Sequence, residues 1–209
     1  MDDVTDPPMN ARPDPANDMM LWNAFREGSE TAFAALYSAH YRHLMNYGRR
    51  FGADTTTAED AIHDVFIDLW NYRRTLIQPQ SVQSYLLKAF RNRLVKQLSE
   101  RQRRFAEADG EEPFGLLSPE PSAEDRLVEE RLNQEQYEQM ERAFKTLSPR
   151  QREVLYLRYF TDLSYDDICA VMGITYNTAR TQLYQALTAL RKRLESNWPV
   201  LLLLLRLFD

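Results

Sequence analysis

The chain has 209 residues, of which six are glycine and one is cysteine, and 27% are charged. This length allows one or two domains with hydrophobic cores, and the composition favours an all-α protein. The single cysteine, Cys169, excludes a disulfide framework and suits a reducing cytoplasm. The formal net charge of −5 argues weakly against a nucleic-acid binder, so the distribution of charge has to decide.

Neither end of the chain has the features of a membrane or export signal. Residues 1–19 are acidic and proline-rich, which predicts a disordered tail, and they lack the basic start and apolar core of a signal peptide. The apolar run at 200–205 is interrupted by Arg206 and is far shorter than the ~20 residues that cross a bilayer. We therefore expect a cytoplasmic protein with no stable membrane insertion.

The first helical unit is predicted over residues 20–47, where apolar and aromatic side chains recur at helical spacing. Ser29 is a candidate cap at a break near Gly28. His40 and His43 lie on the same predicted helix, but the sequence offers no further ligands for a metal site. We expect these histidines to have structural or surface roles, and we expect no bound metal.

The next predicted helix, residues 58–70, has one apolar stripe and one acidic face, with Thr56 or Thr57 ahead of it as a cap. An exposed isoleucine within an acidic face is typical of a docking surface for a basic partner helix. A merely solvated acidic face explains this segment equally well. The candidate docking residues are Asp60, His63, Asp64 and Ile67.

A loop and a cationic helix follow. The loop includes an extended Gln78–Pro79 step, and the helix is predicted to start at Ser81 with a buried stripe that includes Phe90 and Leu94. Its other faces are strongly basic, so they can hold the phosphates of a strand while the loop receives a base. The candidate strand-binding residues are Arg73, Arg74, Gln78, Gln80, Lys88, Arg91, Asn92 and Lys96.

An acidic connector separates this domain, residues 20–104, from a second one. Residues 105–123 contain glycine, proline and acidic residues and predict a flexible linker. A helical domain is predicted at 124–196, and within it the segment Ser148 to Gln151 has the pattern of a capping box. The apolar tail, residues 197–209, is either a final helix packed on this domain or a partner-binding or clamping segment.

The segment 164–194 predicts a helix-turn-helix. Ser164 caps a short helix, Gly173 ends it, and Thr175 caps a longer second helix. The outward face of that second helix holds hydrogen-bonding side chains and cations, which suits the major groove of DNA, although an ordinary helical hairpin would show the same pattern. The candidate DNA-reading residues are Arg158, Thr175, Tyr176, Asn177, Arg180, Thr181, Tyr184 and Gln185.

These motifs, in this order, resemble a bacterial RNA polymerase sigma factor of the extracytoplasmic-function group over roughly residues 20–195. The similar segments are AEDAIHDVFIDLW, SVQSYLLKAFRNRLVKQL, the acidic SPEPSAEDRLVEER and the LSPRQREVLYLRYF segment with the hairpin that follows it. The resemblance implies two small helical domains joined by an acidic linker, with no enzymatic activity and no cofactor. It also implies core RNA polymerase, promoter DNA and an anti-sigma factor as partners.

The same resemblance assigns roles to the candidate surfaces. The docking residues correspond to the contact with a coiled coil of the largest polymerase subunit. The loop and cationic helix correspond to the elements that engage the −10 strand and its flipped base, and the hairpin corresponds to the −35 reader.

Two other classes of protein could contain some of these residues, and each would need further features. A transcriptional regulator with a sensing amino-terminal domain would need alternating strands and helices before residue 104, which the pattern lacks. A metal-dependent phosphohydrolase built on His63 and Asp64 would need more ligands than the three histidines of the chain provide.

Overall fold

The computed structural model describes residues 14–105, 139 and 142–194, and the regular elements in these ranges are α-helices. The expected all-α fold class is therefore confirmed. The linker, the start of the second domain and the apolar tail at 197–209 lie outside the described residues. The helices are α1 (Pro15–Arg26), α2 (Glu30–Arg50), α3 (Thr55–Tyr72), α4 (Val82–Phe105), α5 (Pro149–Tyr159), α6 (Tyr165–Met172) and α7 (Tyr176–Arg193).

Helix α1 begins inside the segment that was expected to be a disordered tail. The side chain of Asp14 accepts a hydrogen bond from the backbone N–H of Ala16 at 3.1 Å, and Pro15 occupies the first turn. Asp18 is buried on α1, and its Oδ2 lies 3.0 Å from Nε2 of His40 on α2. The expectation was wrong for residues 15–19, because a cap starts the helix and a buried partner holds it in place.

Helices α1 to α4 form one helical group around an aromatic core. Trp22, Tyr47 and Phe90 are fully buried in it. Helix α2 approaches its neighbours closely at Gly48, where an added β-carbon would lie 3.0 Å from Cζ of Phe90. Asp54 caps α3, so the expectation of a threonine cap was wrong.

Helices α5 to α7 form the predicted hairpin and the helix that supports it. Ser148 and Gln151 make the capping box of α5, and Ser164 caps α6. Gly173 has φ +66°, a left-handed conformation that glycine adopts without strain, and Thr175 then caps α7. The helix-turn-helix is therefore present with the caps that the sequence predicted.

The two helical groups touch each other. Helix α6 packs against α4, and the ring of Tyr156 on α5 contacts Tyr47 and Phe51 at the end of α2. Among the described residues, none of the helices combines the length and apolar character that a membrane span requires.

Candidate nucleic-acid interface and docking surface

The residues of the predicted docking face lie on the outer side of α3. Its apolar stripe, from Ala58 to Leu69, is buried, so the opposite side faces outward. Asp60 and His63 are exposed, Asp64 is half-buried, and Ile67 is 56% exposed although it is a large apolar residue. The helix thus holds an apolar contact point within an acidic surface, as a basic partner would require.

Arg93 of α4 reaches this acidic side of α3. One guanidinium nitrogen lies 3.6 Å from Oδ2 of Asp64, and another donates to Asp68. Pairs this exposed contribute at most about 1 kcal/mol to stability. A cationic side chain of a partner can therefore displace Arg93 from Asp64 at low cost in free energy.

The cationic face of α4 borders a groove against α3. Lys88, Asn92 and Lys96 are exposed and follow one another at intervals of four residues, so they share one side of the helix. Beside them is a cavity of about 420 Å³ that combines apolar, aromatic and cationic side chains. It is lined by Val65, Asp68, Leu69, Tyr72, Leu76, Tyr85, Ala89, Asn92, Arg93 and Lys96.

Two aromatic residues of this groove, Tyr72 and Tyr85, were not among the predicted strand-binding residues. Tyr72 is 62% exposed at the end of α3, and burial raises the pKa of Tyr85 above its ordinary value. The spacing of Tyr85 fits the buried stripe of α4, so its sequence position suggests a core residue. Tyr72 directly precedes the basic loop in the sequence, and aromatic rings are the usual platforms for unstacked bases. Its position could therefore have indicated a base-stacking role.

The four loop residues predicted to bind the strand are not among the residues that line the groove. Arg74, Gln78 and Gln80 are exposed, but the loop residue that lines the groove is Leu76. The guanidinium of Arg73 lies 4.3 Å from the centre of the Trp70 ring and donates a 2.5 Å hydrogen bond to the carbonyl of that residue. Arg73 is therefore engaged at the end of α3.

Arg91 is also not part of the groove. It was predicted to lie on the strand-binding side of α4, but it is half-buried and paired with Glu153 of α5. The sequence could not show this, because Glu153 is 62 residues away along the chain.

Helix α7 presents the outward face that the sequence predicted. Ala179, Leu183, Ala186 and Leu190 are buried beneath it. No acidic residue occurs from Tyr176 to Arg193, and the last turn is cationic. The predicted residues of this helix that are exposed are Tyr176, Asn177, Arg180, Thr181, Tyr184 and Gln185.

Two of the predicted DNA-reading residues have local structural partners as well. Thr175 accepts the backbone N–H of Thr178 at 3.3 Å through Oγ1, so its hydroxyl caps α7. Arg158 donates a 2.9 Å hydrogen bond to the carbonyl of Leu163 and lies 5.5 Å from the ring centre of Tyr165. We infer that Arg158 holds the turn between α5 and α6, with only part of its side chain left for a phosphate.

The described residues contain no group of three or more His, Cys, Asp and Glu side chains that could hold a metal ion. Cys169 is half-buried and packs against the core, and burial raises the pKa of its thiol, with Asp166 adding to the effect. Three surfaces are available to partners: an acidic face with an apolar centre, a cationic aromatic groove and a cationic helix face.

Two family descriptions match the chain. Residues 36–104 match Sigma-70 region 2, and residues 137–190 match Sigma-70, region 4. Together these matches span more than half of the chain.

Curated relatives agree with these matches. RNA polymerase sigma-E factors of Streptomyces antibioticus and Streptomyces avermitilis are 37% identical over 54 residues and 38% identical over 52 residues. These matches cover 26% and 25% of this chain, and the chain spans only 30% and 29% of the length of those relatives. An ECF RNA polymerase sigma factor RpoE of Cereibacter sphaeroides is 25% identical over 189 residues, which cover 89% of this chain and 99% of that protein.

Two solved structures have the same fold. CnrH in complex with the cytosolic domain of CnrY is 19% identical, with a TM-score of 0.58, over 87% of this chain and 99% of that one. The sigma factor RpoE in complex with the anti-sigma factor NepR from Bartonella quintana is 18% identical, with a TM-score of 0.53, over 86% and 94%. At these identities the likeness shows the fold alone.

Proposed function

This chain belongs to the sigma-70 family of RNA polymerase sigma factors, in its extracytoplasmic-function group, and we propose that it directs core RNA polymerase to promoters by −35 recognition and −10 melting. Sigma factors act in transcription initiation as regulatory proteins rather than enzymes. We assign polymerase and −10 binding to residues 20–104, together with the part of α1 that precedes them, and −35 binding to 124–196.

The outer face of α3 is the proposed contact with core polymerase. Ile67 supplies apolar area, while Asp60 and Asp64 supply negative charge around it. Charged rims steer association and select the partner, and a buried apolar centre provides most of the affinity. A basic helical surface on polymerase fits this face.

The groove between α3 and α4 is the proposed −10 site. Melting requires a base to be held out of the stack, which costs a few kcal/mol. Stacking on an aromatic ring contributes about 1–3 kcal/mol per base. Tyr72 and Tyr85 line the groove and can provide such rings. Lys88 and Lys96 can hold the strand's phosphates on either side, so binding can offset melting without covalent chemistry.

Helix α7 is the proposed −35 reader. Its exposed Asn177, Arg180 and Gln185 have the side chains that pair with base edges in the major groove, and Tyr184 is 72% exposed. The amide nitrogen Nε2 of Gln151 on α5 donates a 3.4 Å hydrogen bond to Oε1 of Gln185, which helps to orient the Gln185 side chain. The cationic last turn of the helix suits the phosphate backbone.

An anti-sigma factor is the proposed regulatory partner. One of the solved structures with the same fold is the sigma factor RpoE in complex with the anti-sigma factor NepR. The exposed apolar residues Ile67 and Tyr72 offer an anchor that such a partner could share with polymerase.

The acid-free outward face of α7 above a fully buried stripe is the observation that carries this proposal most directly. The test is transcription in vitro by core polymerase with the purified chain. Arg180→Ala should lower −35-dependent transcription while binding to core polymerase survives. Equal loss of both would show that the helix is structural.

Two further variants separate the other surfaces. Asp60→Arg should weaken core binding without unfolding the chain, because Asp60 is exposed; unchanged affinity would refute the docking face. Exchanging residues 77–81 for the loop of another sigma factor should change the preferred −10 base, and an unaltered promoter profile would count against a base-receiving loop.

A further inference from the structure

A buried carboxylate joins the two helical groups. Glu153 on α5 is only 1% exposed. Its Oε1 accepts hydrogen bonds from Tyr47 Oη at 2.5 Å and from Arg91 Nε at 2.6 Å, and its Oε2 accepts one from Arg91 Nη2 at 3.2 Å. Tyr47 lies on α2 and Arg91 on α4. Both donors therefore belong to the helical group α1 to α4, whereas Glu153 belongs to the group α5 to α7.

The protonation states of the partners agree with this geometry. Burial alone would lower the pKa of Arg91, but the hydrogen bond and charge of Glu153 outweigh it and raise that pKa. Burial, together with the Glu153 charge, raises the pKa of Tyr47 well above its ordinary value. The contact is therefore a carboxylate bound by a cationic guanidinium and a neutral phenol, a bidentate charge-assisted arrangement.

Apolar and aromatic contacts surround this pair. The guanidinium of Arg50, at the end of α2, lies 5.4 Å and 4.9 Å from the ring centres of Tyr156 and Phe160. Gln83 at the start of α4 donates a 3.4 Å hydrogen bond to the carbonyl of Thr161. Removing one partner from a buried charge pair leaves an uncompensated charge, which is strongly unfavourable, so breaking this contact without exposing it to water is costly.

We propose that Glu153 is a latch that holds the two helical groups closed and withdraws Arg91 from nucleic acid. The closed arrangement leaves Ile67 on α3 and Arg180 on α7 exposed. Engagement of Arg91 with a strand requires opening. The masking of a strand-binding residue rests on the proposed −10 function, whereas the latch itself does not.

The latch is tested by a distance measurement on the full chain. Spin labels at exposed positions 34 and 188, introduced as Ala34→Cys and Thr188→Cys with Cys169→Ser, report the separation of α2 from α7. Glu153→Gln should shift the distance distribution to longer values, and the exposed Glu30→Gln should leave it unchanged. A distribution that is the same in both variants overturns the latch.

A second variant guards against simple unfolding. Tyr47→Phe removes one hydrogen bond to the same carboxylate from the opposite side of the contact, and it should shift the distances in the same direction. Far-ultraviolet circular dichroism should show unchanged helix content in both variants. Longer distances that appear only together with lost helicity would mean that Glu153 holds a fold rather than a closed state, and would overturn the proposal.

The masking of Arg91 is tested with a fluorescent single-stranded oligonucleotide. Glu153→Gln should bind it about tenfold more tightly than the parent chain, and Arg91→Ala added to Glu153→Gln should abolish the gain. Opening without a gain would overturn the masking. If Lys88→Ala and Lys96→Ala also leave strand binding unchanged, the −10 proposal fails, and the distances still decide the latch because they need no nucleic acid.

Discussion

Replacing Ile67 with alanine tests whether the outer face of α3 docks on core polymerase. Burying an isoleucine side chain fully contributes about 1.5–3 kcal/mol, and Ile67 is 56% exposed in the free chain. A partner that covers the rest should therefore gain about 0.8–1.7 kcal/mol from this side chain. At tenfold per 1.4 kcal/mol, Ile67→Ala should weaken core binding by about 4- to 16-fold.

The assay is competition for core polymerase against a labelled parent chain at fixed salt. Met20→Ala is the matched control, because Met20 is 72% exposed on α1, outside the proposed docking face. Alanine has the highest helix propensity, so the free energy of unfolding of Ile67→Ala should change by less than about 0.5 kcal/mol. A loss of affinity can then be attributed to the contact.

The reasoning would be refuted by an affinity within twofold of the parent chain. It would equally be refuted if Met20→Ala lost as much affinity for core polymerase as Ile67→Ala does. The effect would then not be specific to the proposed docking face.

Three further predictions concern the groove, the core and the contact between the helical groups. Lys96→Ala should lower the slope of log affinity against log salt for a single strand by about 0.7, and an unchanged slope would place this lysine away from the phosphates. Gly48→Ala puts a β-carbon 3.0 Å from Phe90 Cζ, so an overpacking cost of about 1–3 kcal/mol should exceed the helix-propensity gain of about 1 kcal/mol in urea unfolding; a more stable variant would show that the ring gives way. The folded pKa of Tyr47 is raised by burial and by the charge of Glu153, so its contribution is complete below the unfolded pKa of about 10 and is lost as pH rises beyond it. Tyr47→Phe should therefore flatten part of the fall in thermal midpoint above pH 10, and parallel curves would contradict this.

The local parts of this protein could be predicted from the sequence because their signals lie within a few residues of the structure they specify. Ser164, Gly173 and Thr175 set the ends of the hairpin helices through hydrogen bonds with backbone groups three or four positions away. The spacing of apolar residues in α3 and α7 likewise determined which side of each helix is buried, and therefore which side is exposed for the proposed contacts with polymerase and DNA.

The tertiary structure alone decided which polar residues are already engaged. Arg91 appears in the sequence as one more cation on a basic helix, and Asp18 as one more acid in a polar tail. Their partners, Glu153 and His40, lie 62 and 22 residues away along the chain. Local periodicity determines which face of a helix is buried, but it does not determine which buried polar groups from separate helices meet. That depends on how the helices pack, because only packing removes both groups from water together.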